Sequence, residues 1–246
     1  MFKAVINADI LKDSIEAIST LVDEAKLKLS KDGISINAVD PANVAMISFG
    51  LHPDAFESYE CTDGEIGLNL ETLVDILSMT ERSDKIEIEL DPEEHNLLLK
   101  MGGLAYTLSL IDLAAMRKEP KVPSLELPAK VTLKGSDLRL AIKAAEKVSD
   151  HLALGVDGST FFMEAESDTN RVRFQLTKDE LISLDASGPA RSLFSLDYLS
   201  DMSKAISKAN EVTVHLGKDY PVKINFSVAG GKGKVEYLLA PRIESD

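Results

Sequence analysis

The sequence holds a single cysteine, Cys61, in 246 residues, so no internal disulfide can form. Histidine is nearly as scarce: His52, His95, His151 and His215 are scattered without metal-ligand spacing, which leaves no zinc site or other metal centre to expect. No run approaches the ~18 apolar residues of a membrane helix, and the N-terminus opens on strand-like alternation instead of a basic and then apolar leader. A soluble intracellular protein without a membrane partner is expected. Catalytic signatures are missing as well, with no G-x-S-x-G, no paired histidine and no Cys/His couple. GGKGKVEY (230–237) lacks phosphate-loop spacing and a following helix, so it reads as a hairpin turn. The carboxylates of DPEEH (91–95) belong to Asp-Pro turn chemistry. A non-enzymatic protein without cofactor follows. Positive charge is short too: 27 Lys and Arg stand against 41 Asp and Glu, for a formal charge of -14. Affinity for duplex DNA comes largely from Lys and Arg neutralising phosphates. Taken alone, then, acidity favours a protein-interaction role, and any DNA-directed role has to account for the sign.

What is present is an ordinary folding composition, 44% apolar and 28% charged, in a chain long enough for two domains. The second half restates the first. Leu70, Leu73 and Ile76 correspond to Leu196, Leu199 and Met202, and the strand Ile86, Ile88, Leu90 that follows corresponds to Val212, Val214, Leu216. Leu97, Leu99 and Met101 lead through Gly102 and Gly103 to Tyr106, Leu108 and Leu110. The second copy runs Val222, Ile224, Phe226, then Gly230 and Gly231, then Val235, Tyr237, Leu239. Both read as hairpins whose paired glycines supply positive φ. Each half opens on a strand and an amphipathic helix, with apolar stripes Leu11, Ile15, Ile18, Leu21 and Leu138, Ile142, Ala145, Val148. Asp32-Gly33 and Asp157-Gly158 are turns before strands. The expectation is an α+β fold in which each half packs two helices on largely antiparallel sheet. Between the halves, RKEPKVPSLELP (117–128) carries Pro120, Pro123 and Pro128 and reads as an extended linker. Leu125 and Leu127 are apolar residues in this connector, resting on the chain's own surface or facing a partner.

With these residues assembled, the sequence resembles the archaeal and eukaryotic sliding clamp family, proliferating cell nuclear antigen. The likeness is carried by GISINAVDPANVAMI (33–47), by LLAPRI (238–243), close to the family's Leu-Ala-Pro-Lys-Ile, by DSIEAISTLVDEAKLKLS, and by the tandem layout over essentially the whole length. The resemblance implies a DNA clamp fold of two domains, 1–116 and 129–246, joined by the 117–128 linker. Three subunits would close head to tail into a trimeric ring. Its pairing edges map onto 104–112, with Tyr106, Leu108, Leu110 and Asp112, and onto 170–178, with Arg171, Arg173 and Lys178. The helices would line the hole, with Lys12, Arg139, Lys143, Lys147, Lys204 and Lys208 as phosphate contacts and Arg82 and Lys85 as weaker ones. Lys143 and Lys147, at i and i+4, fall on one helix face below Arg139. Asp75 and Ser78 stand where relatives often carry lysine, and Asp13 and Asp201 add further negative charge, so the lining is less positive than in some relatives.

A ring of this kind accounts for the acidity, because enclosure holds DNA by topology and tight phosphate contacts would impede sliding. The resemblance also implies a pocket for short client peptides at Val39, Asn43, Met46, Leu125, Leu127, Pro221, Ala240 and Pro241. The implied clients are DNA polymerase, a flap endonuclease and DNA ligase, with an ATP-driven clamp loader to open the ring. The place of work is the cytoplasmic nucleoid in an archaeon or the nucleus in a eukaryote. One subunit of a heterotrimeric clamp, or a non-ring adaptor of the same fold, stays open as an alternative.

Overall fold

The computed structural model describes residues 1–81 and 83–243. These divide into two compact units: Met1–Val39, Ile47–Val122 and Val228–Val235 form unit 1, and Asp40–Met46, Pro123–Ser227 and the chain from Glu236 onward form unit 2. The connector 117–128 is irregular throughout, its first half grouped with unit 1 and its second with unit 2.

The first half of the chain runs β1 (Phe2–Asn7), α1 (Ala8–Ser19), β2 (Glu24–Ser30), β3 (Gly33–Val39), β4 (Ala45–Leu51), β5 (Phe56–Cys61), β6 (Gly64–Asn69), α2 (Leu70–Ser78), β7 (Lys85–Asp91), β8 (Asn96–Met101) and β9 (Leu104–Ser109). The second runs β10 (Ala129–Leu133), α3 (Gly135–Ala145), β11 (His151–Asp157), β12 (Thr160–Glu166), β13 (Arg171–Thr177), β14 (Ser183–Ala186), β15 (Ala190–Ser195), α4 (Leu196–Ile206), β16 (Val212–Leu216), β17 (Val222–Val228) and β18 (Gly233–Leu239). The duplication is topological as well as sequential. Strands of the first half lie in the orders β5-β1-β7-β8-β9 and β6-β2-β3-β4, and those of the second repeat both orders as β14-β10-β16-β17-β18 and β15-β11-β12-β13. Each half thus contributes to two sheets rather than one, and the registered pairs are antiparallel.

Local chemistry sets the helix starts in the first half. Asn7 accepts from the Asp9 N–H and Asn69 from the Thr72 N–H, capping α1 and α2. Neither α3 nor α4 has a side-chain cap, but Asp137 and Asp197 stand in their first turns and Lys143 and Lys204 in their last, complementing the helix dipoles. The apolar stripes pack α1 against α2 and α3 against α4. Ile18, Leu70 and Ile86 are fully buried in unit 1, and Leu138, Ile142, Leu199 and Val214 in unit 2. Burying each such side chain contributes about 1.5–3 kcal/mol.

Two details depart from the periodic reading. The stripes overrun the helices: Leu21 is buried beyond the end of α1, and Val148 is half-buried in the turn after α3. Of the first glycine pair only Gly102 has positive φ. In the second pair both Gly230 and Gly231 do, preceded by Ala229, because that connection is a 3-10 turn instead of a two-residue hairpin.

Candidate functional site

Three surfaces carry the residues singled out in the sequence. The first is a pair of sheet edges. Among the described residues β9 pairs only with β8 and β13 only with β12. Natural edges are usually blunted by charge, proline, shortness or cover. The trailing chain covers β6, where Ile111 bridges to Gly67 so tightly that a Cβ on the glycine would lie 2.7 Å from the Ile111 carbonyl. It covers β15 in the same way, where Arg242 bridges to Leu193. Strand β5 exposes Glu57 and Glu60, and β14 has four residues including Asp185. By contrast β9 reads LAYTLS without a charge, Leu104 is 52% exposed, and the Tyr106 hydroxyl rests on Met79 Sδ at 3.8 Å. Leu108 is half-buried; so is Leu110, which lies just past the strand with its N–H on the His95 carbonyl. Asp112 heads the following turn, its carboxylate accepting from Ala114 N–H at 2.9 Å.

On β13 the two arginines fold back onto their own sheet. Arg171 Nη2 and Arg173 Nη1 each donate to Glu164 Oε2 at 2.7 Å, and the Arg173 guanidinium lies 4.2 Å over the Phe162 ring. Hydrogen bonding from Arg171 chiefly, against the cost of burial, and then from Arg173 holds the Glu164 carboxyl below its ordinary range. Lys178 is exposed in the turn after the strand. Val172, Phe174 and Leu176 alternate as half-buried residues with exposed Arg171, Arg173 and Gln175. The sequence reading passed over this apolar row, although the period of two in RVRFQLT displays it.

The second surface is the set of basic groups on and beside the helices. A Cβ on Gly135 would come within 2.6 Å of the Ala209 carbonyl, so the start of α3 meets the end of α4. Glu146, Ser149 and Asp150 after α3 line one groove of about 470 Å³ with Leu196, Asp197, Ser200 and Asp201 at the start of α4. The two helices are therefore antiparallel, with a basic end and an acidic end. Arg139 Nη1 donates to Ser207 Oγ at 2.7 Å at the first end, close in sequence to Lys204 and Lys208. Lys204 pairs with Asp201 at 2.7 Å. Lys143 is exposed in the last turn of α3, but Lys147 lies outside the helix. Ala145 ends α3, and Lys147 lies in the turn that follows, its N–H on the Ala144 carbonyl between the α-type bonds Glu146 N–H to Ile142 and Ser149 N–H to Ala145. In unit 1 Lys12 is half-buried on α1, and Lys85 opens β7 with its ammonium 2.8 Å from Glu57. Arg82 lies outside the described residues.

The third surface is built in unit 2 around the loop 40–45. Asp40, 3% exposed, accepts from Ala42 N–H at 3.1 Å, Val44 N–H at 2.7 Å, Ala45 N–H at 2.8 Å and the Tyr198 hydroxyl at 2.7 Å. Burial pushes its carboxyl up, but these donors together outweigh it and hold the group below the usual aspartate range. The Tyr198 hydroxyl, bonded to that carboxylate, is pushed up to about 12. Asn43 is exposed at the tip with φ 57°, and Met46 is buried behind it. The Val44 carbonyl accepts from the Ala240 N–H at 2.9 Å, which sets Ala240 and Pro241 beside the loop. Nearby in the same unit, Ser192 Oγ donates to the Gly217 carbonyl at 2.8 Å and accepts from Tyr220 N–H at 3.2 Å, fixing the turn that leads to Pro221. The Leu127 side chain and the exposed Tyr220 both lie against Gly217. Leu125 is half-buried, and Val39 is half-buried at the end of β3 in unit 1. Asp40, Ser192, Tyr198 and Tyr220 were not among the expected site residues. Asp-Pro-Ala-Asn does announce a turn closed by its aspartate, whereas nothing local marks Ser192 or Tyr198.

Comparisons agree with this geometry. Residues 1–107 match the family model "Proliferating cell nuclear antigen, N-terminal domain" and residues 121–242 match "Proliferating cell nuclear antigen, C-terminal domain". A "DNA polymerase sliding clamp" of Methanocella arvoryzae is 59% identical over 246 residues, and one of Methanococcoides burtonii is 57% identical, each covering 100% of both chains. Among solved structures, the C-terminal region of FEN-1 bound to A. fulgidus PCNA has a TM-score of 0.95 at 39% identity over 100% of both chains. PCNA from Thermococcus kodakaraensis has a TM-score of 0.91 at 27% identity over 98% of this chain and 100% of that one. Duplicated topology, motifs and full-length relatives converge, and the chain belongs to the proliferating cell nuclear antigen family of DNA polymerase sliding clamps.

Proposed function

We propose that three copies of this chain close into a ring around duplex DNA and carry polymerases and repair enzymes along it, with no chemistry of their own. The observation that carries this reading is the pair of unblunted edges, β9 with six residues and β13 with seven, in a fold whose other edges are covered, short or acidic. Antiparallel addition of β9 of one copy to β13 of the next would satisfy both rows of backbone groups. It would also extend the apolar row Val172, Phe174, Leu176 with Tyr106, Leu108 and Leu110. Antiparallel pairing would bring the Arg171 end of β13, with Arg173 behind it, to the Asp112 side of β9, and would leave Lys178 at the Leu104 end. A head-to-tail contact of this kind builds a ring when its rotation closes.

The helix surfaces suit enclosure better than gripping. Lys204 and Lys85 are already paired with carboxylates, Arg139 is held by Ser207, and the acidic groove sits beside Lys143 and Lys147. Phosphates passing Lys12, Lys143, Lys147 and Lys208 would meet diffuse attraction and no deep well.

The loop 40–45, the 217–221 turn, Ala240–Pro241 and Leu127 would offer a docking place for a client peptide, with Leu125 as further apolar lining. Two or three buried anchors at about 1.5–3 kcal/mol each give roughly micromolar affinity after ordering costs. The A. fulgidus relative holds the C-terminal region of FEN-1, so a flap endonuclease tail is the first client to try. DNA polymerase and DNA ligase tails come next. Relatives are archaeal; on this reading the working place would be the nucleoid, where an ATP-driven loader would open the ring.

Native mass determination coupled to a polymerase extension assay on circular primed DNA tests the reading. The expected result is a three-chain mass with longer products once a loader is added. A single-chain mass that persists with or without related chains overturns it, and assembly only with related chains makes this a subunit of a heterotrimer.

A further inference from the structure

Tyr198 has no part in the edges or in the basic surface, yet its hydroxyl reaches a buried carboxylate in a loop far away in sequence. The loop Asp40–Ala45 has little regular backbone bonding. Asp40 N–H bonds to the Ala45 carbonyl and Asn43 N–H to the Asp40 carbonyl, and the remaining inward N–H groups of Ala42, Val44 and Ala45 all converge on the Asp40 side chain. Its shape, including the left-handed Asn43 at the tip, is therefore templated by one carboxylate. A carboxylate whose backbone donors belong to its own loop can shift about χ1 and χ2 together with that loop. The Tyr198 hydroxyl at 2.7 Å removes that freedom, because Tyr198 belongs to α4, whose neighbours Leu199 and Met202 are fully buried. The same loop passes the constraint on, since the Val44 carbonyl holds the Ala240 N–H and so the Ala240–Pro241 segment.

We infer that Tyr198 is a positioning residue for client binding: through the Asp40 carboxylate, α4 holds the loop carrying Asn43 and Met46 and the adjoining Ala240–Pro241 in peptide-receiving form. This rests on the docking place proposed above, and it makes the helix that bears Lys204 also the support of the client loop. Removing the hydroxyl leaves the ring, the basic surface and the apolar anchors unaltered while freeing the template.

The test is Tyr198→Phe, which keeps the ring and its burial, with Asp40→Asn as a stronger lesion of the same link. Native mass and melting temperature are checked first. Hydrogen–deuterium exchange of the segment 40–46 without peptide then reads the positioning directly, and titration of a flap endonuclease C-terminal peptide reads its consequence. Loss of one hydrogen bond to a charged group corresponds to about tenfold. In Tyr198→Phe we expect exchange of 40–46 about tenfold faster, peptide affinity weaker by up to the same factor, and the assembled mass retained, with Asp40→Asn more severe in both readouts. Unchanged exchange in Tyr198→Phe overturns the inference. Faster exchange with unchanged peptide affinity also overturns it, because the loop is then held for something other than the client. A wild-type protein that binds no peptide overturns the docking place instead, and exchange at 40–46 still decides whether Tyr198 holds the loop.

Discussion

At the scale of single residues, Asp40 gathers three backbone N–H groups of its loop, and its charge is what does the organising. A carboxylate held below its ordinary value near 3.8 stabilises the fold fully above that value, and the contribution drains away as pH falls through the lower folded value. Asp40→Asn replaces one acceptor oxygen with a donor, opposite either an N–H or the Tyr198 hydroxyl. We expect it to lower the stability in urea by about 1–3 kcal/mol at neutral pH. The gap to the wild type should narrow below about pH 4, measured as unfolding midpoints across that range. A gap that stays constant in acid would mean the carboxylate's charge is irrelevant. Asp40 was half legible in the sequence, where Asp-Pro-Ala-Asn announces a turn. The partner on α4 was not, because a hydrogen bond spanning so much chain leaves no trace in local spacing.

At the scale of elements, the helices and strands followed from periodicity, and their ends did not. A hydrophobic stripe reports which face is buried, so Leu21 and Val148 continued the pattern past the last helical residue. For the same reason spacing did not show that Lys147 lies past the last residue of α3, in the turn that follows it. What sequence spacing could not supply was the close approach of α3 to α4, which Gly135 permits. Alanine normally favours a helix over glycine by about 1 kcal/mol. Here its Cβ would crowd the Ile206 and Ala209 carbonyls, so Gly135→Ala is expected to destabilise by about 1–3 kcal/mol. Gly103, with open space around its Cβ position and ordinary φ, is the control: Gly103→Ala should leave the thermal midpoint within about a degree of wild type, or raise it. If both substitutions behave alike, packing between the helices is not what selects glycine at 135.

At the scale of the whole molecule, duplication was the most legible property. The strand orders of the two halves repeat each other as fully as their apolar patterns do. The proposed trimer depends on edges, which sequence reveals only as stretches without charge. Replacing Tyr106 with Ala together with Arg173→Glu removes an apolar contact and sets a second carboxylate beside Glu164. We expect light scattering at micromolar concentration to fall to the single-chain mass, with each unit still folded by circular dichroism. A three-chain mass would show that β9 and β13 are not the joining strands. Salt should matter little to the intact ring's residence on closed circular DNA, since a chain of charge -14 with paired lysines is held by enclosure, and it should matter far more on linear DNA with free ends.

The trailing segments that seal β6 and β15 have a consequence for how copies can add up. With those borders shut, and β5 and β14 blunted by charge or shortness, the joining proposed for β9 and β13 would make each molecule bivalent, with two unlike connectors. Monomers with two unlike connectors polymerise without branching, so the only products are open rows and loops. A loop consumes every connector, leaves none to recruit further copies, and so ends growth at a fixed number.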